Sequence, residues 1–187
     1  MKTELQDLVE RFIGGDQQAF AELVRRYKKR IYSIAFRMLG NHLDADEVTQ
    51  EAFVRIYTKR KSIKSASFFS SLLLRIATNY AIDLIRKKQK RFVSLDSETG
   101  ATEAVQLEMS DARTSPERIL ENAELMDEIR RAIQKLPPRQ RAAIVLHDVE
   151  GYTKPEVAVI MRCPQATVRS NLHIARSKLK KWLSKII

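Results

Sequence analysis

Residues 136–187 read LPPRQRAAIVLHDVEGYTKPEVAVIMRCPQATVRSNLHIARSKLKKWLSKII, and this stretch decides the fold. Thr153 followed by Glu156 has the spacing of a capping box, which satisfies two orphan amide donors at a helix start. The short helix it opens carries Val157, Ala158, Ile160 and Met161 and breaks at Arg162-Cys163-Pro164. Pro164 biases Cys163 away from helical angles and suits the opening of a second helix. That second helix has an apolar stripe, Val168, Leu172, Ala175, Leu179 and Leu183, at steps of three and four. Its other side offers Gln165, Thr167, Arg169, Ser170, Asn171, His173 and Arg176, side chains able to reach base edges and phosphates from a major groove. The expectation is a helix-turn-helix that reads duplex DNA. Two short helices joined by a turn are common in helical proteins, but here the exposed face is cationic.

Working outward, the charge runs in blocks. Residues 1–92 hold 19 Lys/Arg against 10 Asp/Glu, residues 93–128 hold 2 against 10, and residues 129–187 hold 13 against 3. The net charge of +11 favours a polyanionic partner. The basic–acidic–basic order points to two basic modules on an acidic tether. Five glycines and five prolines are too few for a sheet full of tight turns, and Ala, Leu, Lys, Arg and Glu recur with helical periodicity. The fold expected is all-α: two small helical domains, 1–92 and 116–187, joined by a flexible acidic linker, 93–115, with the helix-turn-helix in the second.

Several function classes have no residues to support them. The single cysteine, Cys163, excludes an intramolecular disulfide, and His42, His147 and His173 lack zinc-ligand spacing. There is no nucleotide-binding glycine loop and no nucleophile–base pair, so no enzyme activity and no cofactor are expected. The amino terminus has acids and no apolar signal region, and the longest uncharged stretch, Ser65 to Leu74, is too short to insert in a membrane. A cytoplasmic protein is expected.

In the amino-terminal half, Gly14-Gly15-Asp16 should end one helix and cap a second, about Gln17 to Leu39, which Gly40-Asn41 stops. Asp44 reads as the next N-cap, for a helix continuing to about Arg60. Glu47, Gln50, Glu51 and Val54 lie on its exposed face, while Phe53, Ile56 and Tyr57 point inward. A basic, Ser-rich connection, 59–69, contains Lys59, Arg60, Lys61 and Lys64. The helix that follows has Leu73, Ala77, Tyr80 and Leu84 as its apolar stripe, widened by Leu72 and Ile76. Arg75, Asn79, Ile82 and Arg86 lie within about 60° of one another on the opposite side. It ends in Arg86, Lys87, Lys88, Lys90 and Arg91, more cations than dipole complementation needs, so a phosphate track is the better reading.

Three segments, DADEVTQEAFVRIY, FSSLLLRIATNYAIDLIRKK and the helix-turn-helix quoted above, resemble in order and spacing the extracytoplasmic-function group of bacterial RNA polymerase sigma factors. The resemblance implies a promoter-specificity subunit that recruits core RNA polymerase through its β′ and β subunits. Asp46, Glu47, Gln50, Glu51 and Phe53 match the positions that dock on β′. Lys61, Lys64, Arg75, Asn79, Arg86 and Lys87 would hold the opened −10 strand, Asn79 through its amide and the others through charge. The helix Gln165–Lys178 would read the −35 element, and an anti-sigma factor is implied as a further partner. Departures are Leu72 where the family usually has Trp, Pro155, and Asn171 and Ile174 where Arg is frequent. Arg162-Cys163 replaces the usual Gly and aliphatic pair, so Arg162 should adopt a glycine-like conformation at about 1 kcal/mol. A stand-alone helix-turn-helix regulator is the competing reading. It leaves the basic amino-terminal helices without a task. A nucleic-acid enzyme is a third, for which only charge speaks.

Overall fold

A computed structural model describes residues 4–94 and 116–184 of the chain. Residues 95–115, which include Asp96, Glu98, Glu103, Glu108 and Asp111 of the expected linker, lie outside the described residues. Among the described residues all regular structure is helical.

Helix α1 (Glu4–Ile13) buries Leu8, Val9 and Phe12 and ends at Gly14-Gly15. Asp16 then caps α2 (Gln17–Leu39): one carboxylate oxygen accepts from Gln18 N at 2.8 Å and Ala19 N at 3.1 Å, the other from Arg11. Two of the orphan amides that open a helix are thereby satisfied. Gly40 stops α2 in the left-handed region, φ 80°, and a side chain there would also run into Gln134. Helix α3 (His42–Thr58) is capped by Asn41, whose side chain accepts from Asp44 N at 2.8 Å. This corrects the N-cap expected at Asp44. Asp44 sits inside the first turn, nearly buried and ion-paired with Lys88. A single 3-10 turn, Arg60–Ser62, precedes α4 (Ala66–Ser94), which begins inside the connection expected over 59–69, with Ser65 Oγ accepting from Phe68 N.

Phe12, Phe20, Tyr27 and Phe69 interlock at the centre of this half, with ring centroids 5.1–6.0 Å apart along the chain of contacts. Fully burying Phe12 or Phe69 is worth about 1.5–3 kcal/mol each. Those two rings hold α1, α2 and α4 to one another.

In the second half, α5 (Pro116–Gln134) leads to α6 (Pro138–Ile144), and a π turn, Val145–Val149, extends α6 with Glu150 N bonded to Val145 O at 3.0 Å. Thr153 and Glu156 form the expected capping box for α7 (Lys154–Met161). Helix α8 (Gln165–Leu183) buries Val168, Leu172 and Ala175 against it, and Leu179 is partly buried beside them.

The two halves share one core. Helices α6 and α7 lie on α4, and α5, α6 and the π turn lie on α2. Arg141 is the staple: 6% exposed, it donates to Met38 O at 2.6 Å, to Leu136 O at 3.2 Å and to Gln134 O. These carbonyls sit at the carboxy-terminal ends of α2 and α5, where the helix dipole favours a cation. Burial pulls the guanidinium down to about 10, so it stays charged at neutral pH. Around it, Glu150 pairs with Arg37 and, at 3.9 Å, with Arg30, and Arg30 stacks over the Tyr152 ring at 4.6 Å. Because the second half covers α4, Leu74, Thr78, Ile82 and Ile85 are buried together with Leu72, Leu73, Ile76 and Ala77 of the expected stripe, while Tyr80 and Leu84 are half-buried. Ile82 was expected on the exposed side. By length and composition α4 could cross a membrane, yet over half of its most apolar 18-residue stretch is buried, as in a core helix.

Candidate nucleic-acid and polymerase interfaces

The exposed strip of α3 runs Leu43, Asp46, Glu47, Gln50 and Val54, one face at steps of three and four. Leu43 is 85% exposed and Val54 58%, so two carboxylates and an amide are framed by bare apolar side chains. Sequence reading missed Leu43; its place beside Asp46 and Glu47 on the helical grid was the available signal. Glu51, half-buried, pairs with Arg55 at 2.6 Å. Phe53 is 7% exposed and packs edge-on to Phe20 at 6.4 Å. It supports the strip from beneath and offers no docking surface.

Glu47 also reaches α4: it accepts from the Tyr80 hydroxyl at 2.6 Å, and Arg55 covers the same ring at 4.7 Å. The bond to the carboxylate, with burial second, pushes Tyr80 up to about 12.

The basic elements of the first half divide into two groups. Lys61 and Lys64 are exposed on the turn before α4, and Arg60 stacks on Tyr57 at 4.9 Å. Arg75 and Asn79 are half-buried one turn apart on α4, and Arg86 and Lys87 are exposed near its end. Asn79 stands 13 residues into α4 from Ala66, about 20 Å along the axis. Burial lowers the Arg75 guanidinium, and Arg162, the C-cap of α7, lowers it further by like-charge repulsion.

On α8, Arg169, His173 and Arg176 fall on one flank with Lys180. Together with Leu172, Ser177 and, from α7, Lys154, they line an open cleft of about 360 Å³. Thr167 and Asn171 lie about 160° or more around the helix from Arg169, on the other flank, and Ser170 lies between. Gln165, half-buried, stands at the amino-terminal end of α8. The seven expected readers are thus distributed on three sides of the helix. Lys154 and Lys180 were not anticipated; their signal is the net charge of the α7–α8 pair. Arg176 is held by both oxygens of Asp148. Among the described residues no group of three or more His, Cys, Asp or Glu could hold a metal ion.

The sequence comparisons agree with this anatomy. Residues 23–91 match the family model for sigma-70 region 2, and residues 126–179 match sigma-70 region 4. The chain belongs to the sigma-70 family of RNA polymerase sigma factors. Within it, the relatives are extracytoplasmic-function (ECF) factors, and the chain is an alternative sigma factor of that group. It is 39% identical to the ECF sigma factor SigW of Bacillus subtilis (strain 168), over 90% of this chain and 91% of that one. It is 35% identical to the ECF sigma-E factor of Escherichia coli (strain K12), over 100% and 99%. Two solved structures share the fold. One is CnrH in complex with the cytosolic domain of CnrY, with TM-score 0.66, 24% identity and 95% and 96% of the two chains covered. The other is RpoE in complex with the anti-sigma factor NepR from Bartonella quintana, with TM-score 0.68, 19% identity and 88% and 96% covered.

Proposed function

We propose that residues 1–92 dock this sigma factor on core RNA polymerase and open the −10 element, and that residues 116–187 read the −35 element. The observation that carries the assignment is the pairing of two unlike surfaces on adjacent helices. The α3 strip is acidic and apolar, suited to a basic protein partner, while α4 and the turn before it are basic, suited to phosphates.

Leu43, Asp46, Glu47, Gln50 and Val54 form the docking surface, with Phe53 beneath it and Glu51 at its edge. Lys61 and Lys64 take the strand at the start of α4, Arg75 and Asn79 meet an extruded base at its middle, and Arg86 and Lys87 hold the phosphates beyond. The protein performs no bond chemistry of its own; the polymerase supplies it. Its place of action is the cytoplasm, where polymerase and promoter are.

A −35 and a −10 element about 25 base pairs apart are separated by about 85 Å of duplex. Helix α7 lying on α4, with Arg75 facing Arg162, cannot serve both elements at once. The 21 residues 95–115 span at most about 75 Å when extended, enough with the lengths of the domains themselves to bridge the gap. The packed arrangement is therefore the form of the free chain, and core polymerase holds the halves apart. An anti-sigma factor, the partner class of the solved RpoE structure, would hold them together.

Promoter binding with and without core polymerase tests this reading. A gel-shift or anisotropy titration should show weak binding by the chain alone and tight binding by the holoenzyme. Tight, sequence-specific binding by the chain alone would identify a stand-alone regulator instead.

A further inference from the structure

Arg176 carries an unusual restraint for a residue on a DNA-contacting helix. The π turn Val145–Val149 brings Asp148 alongside α8, and single-turn π bulges recur at functional sites. Asp148 Oδ2 accepts from Arg176 Nε at 2.9 Å, and Oδ1 accepts from Nη2 at 2.5 Å. This is a fork-to-fork pair, the strongest and most directional form of ion pair between side chains. It occupies one edge of the guanidinium. The end-on edge, Nη1 with the second Nη2 hydrogen, remains available for a second pair of acceptors.

The surroundings say what those acceptors are. Arg176 shares its cleft with Lys154, Arg169, His173 and Lys180. It lies 11 residues along α8 from Gln165, about 16 Å from the end that enters a groove first. A position that far from the leading end, amid cations from two helices, meets the sugar–phosphate backbone, whereas base edges are met nearer the start. We propose that Asp148 is a positioning residue for −35 recognition, fixing Arg176 so that its free edge clamps a backbone phosphate in the α7–α8 cleft. Arg176 then sets affinity and register, and sequence discrimination falls to residues nearer the start of α8.

The proposal rests on the −35 role of this half, and one experiment separates the two. The probe is a −35 duplex cut from a promoter that the holoenzyme transcribes, together with variants in which each base pair is exchanged. Affinities are measured by anisotropy with holoenzymes carrying Asp148→Asn, Asp148→Glu, Arg176→Ala and Asp148→Asn/Arg176→Ala, at several salt concentrations. Arg176→Ala should weaken every duplex by a similar factor and reduce the salt slope by about 1. Asp148→Asn should weaken binding by about 3- to 10-fold, and that loss should vanish once Arg176 is already Ala. Asp148→Glu should recover part of it. Thermal melting of each variant identifies a general loss of folding, which would persist in the Arg176→Ala background and overturn the positioning role. If Asp148 merely repels DNA, Asp148→Asn tightens binding and the proposal fails. If the Arg176→Ala loss depends on the identity of one base pair, Arg176 reads that base and the phosphate clamp fails. If the unaltered holoenzyme shows no preference for its −35 duplex, the functional reading of this half fails instead.

Discussion

Replacing Arg162 with Gly should stabilise the protein, although it removes a long side chain from the surface. Arg162 is the C-cap of α7 and sits at φ 49°, ψ 54°, the only non-glycine residue with positive φ among those described. An L-residue in this region pays roughly 1–2 kcal/mol for the crowding of Cβ against the following carbonyl. Glycine pays none of it, but its freer unfolded chain costs about 0.4–1 kcal/mol on folding. The net expectation is a gain of about 0.5–1 kcal/mol, a rise in Tm of roughly 1–4 °C for a chain of this size. Relief of the repulsion with Arg75 adds to it at low salt. Urea and thermal denaturation followed by circular dichroism, at low and high salt, read both parts. Arg162→Ala serves as the control, because it removes the charge and keeps the strain. The difference between Gly and Ala should survive high salt. A Gly variant less stable than Ala would refute the strain argument and show that backbone freedom costs more here than the left-handed angle does.

Arg141→Met should destabilise by about 2–4 kcal/mol, since it leaves the carbonyls of Met38, Gln134 and Leu136 without their charged donor; a urea-derived loss below 1 kcal/mol would contradict the staple. Tyr80 and Tyr152 are both pushed up to about 12, Tyr80 first by its bond to Glu47 and Tyr152 first by burial. In the unfolded chain they ionise near 10. Between pH 10 and 12 the folded state therefore binds more protons, and stability falls as pH rises through that window. An ultraviolet titration should find at least two of the five tyrosines ionising late, with Glu47→Gln moving Tyr80 back; five ordinary tyrosines would contradict the assigned environments. Asn79→Ala should leave core binding unchanged and reduce permanganate reactivity of the −10 region in the open complex; undiminished opening would remove Asn79 from the base pocket.

The helix-turn-helix was legible because its signals are local. Thr153 with Glu156 specifies a helix start, Gly40 and Arg162 mark left-handed stops, and the Val168–Leu172–Ala175 stripe fixes which side of α8 is buried. What escaped depends on contacts distant in sequence. Asn41, rather than Asp44, caps α3 because Asp44 is drawn inward toward Lys88, 44 residues away. Ile82 looked exposed because the stripe on α4 accounts for only one of its partners; the second half covers the other face. Asp148 carries no local signal, and only the π turn, invisible to a 3.6-residue period, aims it at Arg176. The scatter of the α8 readers over three flanks was already implicit in 100° per residue. Residue types on a helix do not show which flank meets DNA.

The central claim, that this chain directs core polymerase to promoters, is tested most directly by multi-round run-off transcription from genomic fragments. Purified bacterial core polymerase is assayed with and without the chain. The account predicts stoichiometric association with core and a set of new transcripts whose start sites share −35 and −10 sequences. Core that binds nothing, or a transcript pattern unchanged by the added chain, would contradict it.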